Sequence, residues 1–310
     1  MSLIKAKALT KHYKQVKAVD AIDLEVEKGE YIALLGPNGA GKSTLIEMLE
    51  GVLSPDSGNI AIDNKTWAKD ADSLRRLIGV SFQETRFMDK VTVWETLTLF
   101  ASFYQVEKDR IEFVLSSVGL TDKKDTFVVN LSGGQRQKLA LGLAIMNDPK
   151  ILFLDEPTTG LDPRARREIW DILRSFKKEG KTLILTTHYM EEAEVLCDRI
   201  LIMFAGKILA QGTLDELIGA YGPSQSLEIT FEQKPSAKWI KRISENEKIE
   251  AAKLKVEENK LYFQTDDASQ ILQHLYRAVE KEGVAIQNVQ CKRLTLDDLF
   301  ILMTGTHLHE

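Results

Sequence analysis

The sequence is poor in cysteine and proline and contains no long apolar run. Its 310 residues include 2 cysteines, Cys197 and Cys291, and 7 prolines. Two distant cysteines argue against a disulfide framework or a cysteine-ligated metal cluster, and they fit a reducing cytosol. No stretch approaches the ~18 consecutive apolar residues of a membrane-spanning helix, and the N-terminus lacks a signal segment. We therefore expect a chain that does not span a membrane by itself.

The sequence also lacks an excess of positive charge. The formal net charge is −5, with 28% charged and 44% hydrophobic residues. Nucleic-acid binding depends on neutralising phosphates with basic side chains, so no nucleic-acid partner is expected. The composition is typical of a soluble globular protein, and the length predicts one large domain plus a smaller one, or two domains.

A glycine-rich segment at residues 36–44 is the most specific feature of the sequence. It follows an apolar stretch that predicts a buried strand, and it precedes a predicted helix. This arrangement aims backbone N–H groups and the positive end of the helix dipole at one anion. Lys42 would add a charge near the β- and γ-phosphates, and Ser43 would offer a hydroxyl to Mg²⁺. The segment matches the phosphate-loop pattern G-x-x-x-x-G-K-[ST] and consists of Gly36, Pro37, Asn38, Gly39, Ala40, Gly41, Lys42, Ser43 and Thr44.

Three apolar stretches further along the chain each end in polar residues. Such stretches predict strands buried on both faces of a parallel sheet, and ligands bind at the carboxyl ends of these strands. At one of these ends, Asp155 is a candidate Mg²⁺ ligand and Glu156 is a candidate to polarise a water molecule. The stretches are 77–82 followed by Gln83, 151–154 followed by Asp155 and Glu156, and 182–187 followed by His188.

Two loops contain further candidate contacts for a nucleotide. Tyr13 is predicted in a polar loop, where it is either a base-stacking aromatic or an ordinary half-buried tyrosine. Residues 132–135 read Ser132, Gly133, Gly134 and Gln135 and are followed by a predicted helix. Ser132 is a candidate N-cap, and the glycines expose backbone N–H groups to a second anion. Taken alone, Ser-Gly-Gly is also a common loop sequence.

Together these motifs resemble the nucleotide-binding domain of ABC (ATP-binding cassette) transporters over about residues 1–220. Leu131–Gln135, shortly before the 151–156 strand, looks like the ABC signature, which GTPases and kinases lack. The resemblance implies an α/β P-loop NTPase cassette with a mostly parallel core sheet, an antiparallel N-terminal β subdomain and a helical subdomain. It also implies that the chain binds ATP and Mg²⁺ and hydrolyses ATP.

The resemblance implies a role for each candidate residue. Residues 36–44 correspond to Walker A, and Tyr13 to the aromatic that stacks on adenine. Thr159–Asp162 stands where the family commonly has S-A-L-D. The implied catalytic set is Glu156, His188, Lys42 and Gln83, the implied Mg²⁺ ligands are Ser43, Gln83 and Asp155, and Ser132, Gly133, Gly134 and Gln135 would complete the ATP site of a second cassette.

The resemblance also implies partners and a location. We expect a homodimer or heterodimer of cassettes on the inner face of the cell membrane, held there by a separate membrane-spanning permease subunit. The region after Gln83 would contact the permease, with Phe87, Met88 and Trp94 as candidate contacts. Two alternatives stay open: a soluble ABC ATPase acting on nucleic acid or ribosomes, and a non-catalytic nucleotide-binding module. The single cassette, the acidic balance and the intact catalytic set argue against them.

The tail of the chain is predicted to be a separate domain. We expect a cassette at 1–222 and a C-terminal accessory or regulatory α+β domain at 223–310. The order of predicted tail elements, β-α-β-β-α-β, is typical of a ferredoxin-like unit. Residues 294–300 resemble the tails of type 2 ABC exporter ATPases of the drug-resistance kind, which implies export. We expect the tail to support dimerisation or regulation.

Overall fold

The computed structural model describes residues 2–82, 86–221, 225–244, 254–282, 284–293 and 295–304. The chain forms two compact units, Met1–Thr213 and Leu214–Thr306. The helix Leu214–Tyr221 therefore groups with the second unit. The boundary predicted after residue 222 falls in a segment, 222–224, that lies outside the described residues.

A six-stranded sheet forms the centre of the first unit, in the order β5-β6-β7-β3-β8-β9. All neighbours are parallel except the hairpin of β8 and β9. β3, β6 and β7 are almost wholly buried, as expected for apolar strands covered on both faces. The strands of the unit are β1 Ser2–Tyr13, β2 Val16–Glu27, β3 Tyr31–Leu35, β4 Ser57–Ile62, β5 Ile78–Ser81, β6 Ile151–Asp155, β7 Thr182–Thr186, β8 Arg199–Phe204 and β9 Lys207–Gly212.

A second, antiparallel sheet in the order β2-β1-β4 completes the strands of this unit. Buried and exposed residues alternate along much of β2, as expected for a sheet with one face on the core. The polar loop predicted around Tyr13 is shorter than expected, because β1 continues to Tyr13 and pairs it with Val16.

Helices cover the central sheet and form a helical group between β5 and β6. Thr92 begins α3 with a capping box, since its hydroxyl accepts from the Glu95 N–H at 3.1 Å and the Glu95 carboxylate accepts from the Thr92 N–H at 2.7 Å. The helices of the unit are α1 Lys42–Glu50, α2 Trp67–Leu77, α3 Val93–Tyr104, α4 Lys108–Ser117, α5 Gly133–Ala144, α6 Pro163–Lys178 and α7 Met190–Leu196. The expected mostly parallel core, antiparallel sheet and helical group are thus confirmed.

One segment of this unit differs from its predicted structure. The strand predicted at 77–82 is shorter, because Leu77 ends α2 and Phe82 is 56% exposed beyond β5. No helix was predicted at α2, which buries only Leu74 and has a non-helical backbone at Asp70. A helix with one buried residue gives little apolar periodicity to detect.

The second unit is built on a four-stranded antiparallel sheet in the order β11-β12-β10-β13. The inward residues of β10 and β12 pack against α9 and α10, with Trp239 and Phe231 in edge-to-face contact at 5.5 Å. This order and pairing agree with the predicted ferredoxin-like unit. Its elements are α8 Leu214–Tyr221, β10 Gln225–Phe231, α9 Ala237–Ser244, β11 Lys255–Glu257, β12 Lys260–Thr265, α10 Ala268–Glu282, β13 Ile286–Arg293 and α11 Leu296–Thr304.

The last helix of the second unit, α11, packs against the first helix of that unit, α8. Leu296, Leu299 and Phe300 of α11 are buried, and α11 contacts α8. Across all of the described ranges, we find no helix with the length and apolar character needed to traverse a bilayer.

Candidate active site

The phosphate loop joins β3 to α1 at the carboxyl edge of the central sheet. Gly41 adopts a φ of 100° and precedes the first residue of α1, Lys42. A Cβ on Gly41 would collide with the backbone carbonyl of Ala18, and a Cβ on Gly36 would collide with that of Met203. Glycine is therefore required on steric grounds at two positions of the loop. The N-terminus of the nine-residue helix α1 follows directly, which suits an anion.

A cleft of about 550 Å³ lies along this loop. It brings together residues that are far apart in the sequence, including the exposed Tyr13 ring on β1 and two carboxylates at the end of β6. Lys42 is the one cationic side chain among the described residues that line it. The lining consists of Tyr13, Val16, Ala18, Asn38, Gly39, Ala40, Gly41, Lys42, Ser43, Thr44, Asp155 and Glu156.

Lys42 reaches back over the loop that precedes it. Its ammonium donates hydrogen bonds to the carbonyl oxygens of Gly36 at 2.7 Å and Pro37 at 3.1 Å. Burial lowers the pKa of Lys42, and the negative charges of Glu156 and Asp155 oppose this effect. The cation is thus held between the loop and the two carboxylates.

Asp155 and Glu156 are fixed by the neighbouring strand. The register pairs Asp155 with Thr186 of β7, whose hydroxyl donates to Asp155 Oδ1. The Glu156 N–H donates to both the carbonyl and the hydroxyl oxygen of Thr186, each at 3.1 Å. One threonine therefore holds the Asp155 carboxylate and the Glu156 backbone.

Glu156 has a left-handed backbone and a crowded carboxylate. Its φ is 47°, a conformation uncommon for residues other than glycine and one that concentrates at functional sites. Its Oε2 accepts a hydrogen bond from the Thr159 hydroxyl at 3.0 Å and lies 3.3 Å from Nδ1 of His188. The structure thus brings the predicted carboxylate and the predicted histidine into direct contact.

The Ser132 segment is built as predicted but is not part of this cleft. Ser132 caps α5, because its hydroxyl accepts from the Gln135 N–H at 3.3 Å while the Gln135 side chain accepts from the Ser132 N–H at 3.0 Å. Ser132 and Gly133 are exposed, and none of residues 132–135 is among the described residues that line the cleft. The end of α5 is therefore accessible to a second molecule.

Two residues of the site were not predicted from the sequence, and one predicted residue lies outside the described part of the chain. Thr186 and Thr159 hold the carboxylates, but in the sequence they are only threonines at a strand end and in a turn. Their positions two residues before His188 and three residues after Glu156 were the available signal. Gln83 lies outside the described residues, so its predicted role stays a prediction.

Comparison with known proteins identifies the family. The ABC transporter family model matches residues 19–159. Daunorubicin resistance ATP-binding protein DrrA3 from Streptomyces coeruleorubidus is 34% identical over 299 residues, covering 95% of this chain and 93% of that protein. The chain belongs to the ABC transporter ATP-binding family. As an ABC protein it is the ATP-binding, ATP-hydrolysing subunit of a transporter.

Two further relatives support this membership of the ABC family. Nod factor export ATP-binding protein I from Rhizobium etli is 42% identical over 227 residues, covering 71% of this chain and 72% of that protein. The dimeric post-hydrolysis structure of the ATP-binding cassette MJ0796, bound to ADP and Pi, is 29% identical. It has a TM-score of 0.62 and covers 68% of this chain and 98% of that one. The alternative of an ABC ATPase acting on nucleic acid or ribosomes is not favoured.

Proposed function

We propose that this ABC protein hydrolyses ATP at a site shared by two cassettes and thereby drives export through a separate membrane-spanning permease. The observation that carries the proposal is the single cleft lined by the phosphate loop, Lys42, Asp155 and Glu156. Phosphoryl transfer to water depends on positioning and on charge stabilisation, and these groups supply both.

The catalytic residues act on opposite sides of the bond that breaks. Lys42 and the loop amides stabilise the negative charge on the phosphates. Glu156 orients the attacking water and takes its proton, and His188 holds the Glu156 carboxylate and contacts the γ-phosphate. Gln83 is assigned to the same water and to Mg²⁺ on the basis of the family resemblance alone.

The cleft also suits Mg²⁺. Ser43 and Asp155, the assigned ligands besides Gln83, both line it and offer the hard oxygen donors that Mg²⁺ prefers. The described residues contain no cluster of three or more His, Cys, Asp or Glu side chains suited to a metal. Mg²⁺ usually takes only one or two carboxylates and fills its other positions with phosphate and water oxygens. When bound, it would neutralise charge on the β- and γ-phosphates.

The adenine of ATP is assigned to Tyr13. The ring is 47% exposed, lines the cleft and stands at the hairpin end of β1, opposite Val16. An aromatic face at the margin of a phosphate site suits stacking on a base.

The second half of the site comes from another cassette. The exposed Ser132 and Gly133 at the start of α5 offer N–H groups and a hydroxyl to the ATP held by the partner's phosphate loop. The dimeric MJ0796 cassette supports such an arrangement. ATP would then favour the closed dimer because it binds that state best, and hydrolysis would release it. The partner is a second copy of this chain or a paralogue.

A permease is assigned to the surface that Phe82 and residues 86–94 form. Phe82 and Met88 are 56% and 57% exposed, whereas Phe87 and Trp94, named from the sequence as exposed contacts, are half-buried. Exposed apolar side chains close to a nucleotide site suit a partner that responds to ATP. The permease would hold the chain at the cytoplasmic face of the membrane. The names of the two relatives, a drug-resistance and a Nod factor export protein, support export.

The proposed division of labour places catalysis in residues 1–222 and support of dimerisation or regulation in residues 223–310. The cleft lies wholly in the first of these segments, and the sheet β11-β12-β10-β13 lies wholly in the second.

Glu156→Gln tests the catalytic assignment. Glutamine keeps the size of the side chain but cannot take a proton from water, so ATP turnover should fall by at least about 100-fold. The variant should still bind ATP and form an ATP-dependent dimer. Turnover is measured by phosphate release, and dimerisation by size-exclusion chromatography with and without ATP. Hydrolysis at the wild-type rate would overturn the assignment.

Glu191→Gln provides the matched control. It makes the same chemical change at an exposed position in the first turn of α7. It should leave both turnover and ATP-dependent dimerisation unchanged. A dimer that forms equally well without ATP would contradict the proposed interfacial role of the nucleotide.

A further inference from the structure

Glu192 is a fully buried carboxylate that has no role in the mechanism proposed above. It lies in the first turn of α7, four residues after His188, and its relative exposure is 0%. The indole N–H of Trp170 in α6 donates a hydrogen bond to its Oε1 at 3.2 Å. Burial raises the pKa of Glu192, while the Thr187 and Thr158 hydroxyls, the Trp170 indole and the positive charge of Arg166 oppose that rise.

The two threonines that face Glu192 belong to the loops that form the active site. Thr158 is next to Thr159, whose hydroxyl donates to Glu156 Oε2 at 3.0 Å. Thr187 is next to His188, whose Nδ1 lies 3.3 Å from the same oxygen. Both Thr158 and Thr187 are buried, with exposures of 0% and 1%. Glu192 therefore interacts with the residue directly before Thr159 and with the residue directly before His188, the two residues that contact Glu156 Oε2.

The polar groups around Glu192 are not all satisfied. Glu192 Oε2, the Thr158 hydroxyl and Arg166 Nε are each buried without a hydrogen bond of ordinary geometry in the described structure. The Arg166 guanidinium stacks on the Tyr189 ring, directly after His188, at 4.0 Å from its centre. Buried polar groups without partners are costly, and a cluster of them needs an explanation other than stability.

We propose that Glu192 is a positioning residue that holds the Thr158–Thr159 loop and the Thr187–His188 loop in register, so that His188 and Glu156 meet. A residue kept only for stability would be replaced well by an apolar side chain in this buried place. The inference rests on the proposed roles of Glu156 and His188. It concerns the alignment of the two loops and not the binding of ATP, since Glu192 does not line the cleft.

Three variants of the full-length chain separate positioning from folding. Glu192→Ala removes the carboxylate, so kcat should fall by roughly 10- to 100-fold with an unchanged KM for ATP, as small misplacements of catalytic groups have such effects. Glu192→Gln keeps an acceptor for Trp170 and gains a donor that the threonine oxygens can accept, so it should recover most of the lost turnover. Glu191→Ala, at the exposed neighbouring position, should match the wild type.

Amide hydrogen exchange supplies a readout that does not depend on hydrolysis. In Glu192→Ala, peptides that cover residues 156–161 and 186–190 should exchange faster in both loops, while peptides from the phosphate loop stay protected. Unchanged exchange in either loop, a wild-type kcat in Glu192→Ala, or a Glu192→Gln variant as slow as Glu192→Ala would each overturn the inference. Failure of the proposed function would show instead in the wild-type chain, as an absence of ATP hydrolysis.

Discussion

The two units of the chain both pack helices on a sheet, but the direction of the strands differs. In the first unit β6, β7 and β3 run parallel, so their carboxyl ends place Asp155, Thr186 and the phosphate loop at one edge. In the second unit the described strands are antiparallel, and polar side chains pair across the strands, as Lys260 does with Glu228 at 2.6 Å. A parallel sheet gathers loops into a site, whereas an antiparallel sheet distributes them over both ends.

Lys42→Ala should have the largest effect on activity. It removes the cation held beside Asp155 and Glu156, and turnover should fall by at least about 1000-fold, as expected for loss of preorganised charge stabilisation. Lys260→Ala, which breaks the half-buried ion pair with Glu228 in the second unit, should leave turnover unchanged. Both rates are measured by phosphate release. An equal loss in Lys260→Ala would show that the second unit also contributes charge to catalysis.

Phe231→Ala should lower the stability of the second unit without affecting the first. Phe231 is fully buried in the second core, and its truncation should lower the free energy of unfolding of that unit by about 3–5 kcal/mol. The ATP affinity should not change. Unfolding is followed by fluorescence, since Trp239 contacts Phe231 and the other tryptophans, Trp67, Trp94 and Trp170, belong to the first unit.

Phe153→Ala in β6 is the counterpart in the first unit. Phe153 is equally buried and lies two residues before Asp155, so its truncation should weaken ATP binding as well as stability. A change of ATP affinity in Phe231→Ala would contradict the independence of the second unit.

Glu50→Gln should change how stability depends on pH. Burial raises the pKa of the Glu50 carboxyl from its ordinary value of 4.5 to about 8, and the charges of Asp155 and Glu47 add to this effect. Between these values the folded chain binds more protons than the unfolded chain, so stability falls as pH rises from 4.5 to 8. Glutamine does not ionise, so the variant should be more stable than the wild type by up to about 5 kcal/mol at pH 9, since each tenfold change in proton affinity is worth about 1.4 kcal/mol.

Urea unfolding at pH 4 and pH 9 measures this difference. At pH 4 the carboxyl is protonated in the folded state and mostly protonated in the unfolded state, so the variant should have almost no advantage there. Glu112→Gln on α4, where the side chain is exposed, removes no buried charge and should give no gain at either pH. A gain of equal size at pH 4 and pH 9 would assign the effect to packing instead of ionisation.

The loss of a helix cap should have the smallest effect on stability. Ser132 and Thr295 cap α5 and α11 with the same reciprocal hydrogen bonds, so replacing either by alanine should cost about 1 kcal/mol. Only Ser132→Ala should also slow turnover, because its hydroxyl is assigned to the partner's ATP. Denaturant unfolding and phosphate release distinguish the two effects. Equal turnover in both variants would leave Ser132 as a cap alone.

Much of the site could be predicted because its residues stand at the ends of strongly apolar strands. β3, β6 and β7 lie where the apolar stretches indicated, and Asp155, Glu156 and His188 follow them as expected. The cap at Ser132 was predicted for a similar reason, since its interaction with Gln135 spans only three residues of sequence.

What could not be predicted depends on how distant segments pair. The contact of Thr186 with Asp155 follows from the register between β6 and β7, which no local pattern specifies. The helix α7 has seven residues, too few for a clear apolar period. The sequence does not distinguish Glu192 from the two other glutamates of α7, and only the structure shows that Glu192 is buried.

The left-handed backbone at Glu156 limits which substitutions at this position can raise stability without loss of activity. At a φ of 47° glycine is free of the steric strain of a side chain, so Glu156→Gly should relieve roughly 1 kcal/mol of strain. The substitution that best suits the backbone therefore removes the group that handles water. Selection for thermal resistance alone would drift toward an inactive chain at this position, and a stabilised version of the protein must be sought at other residues.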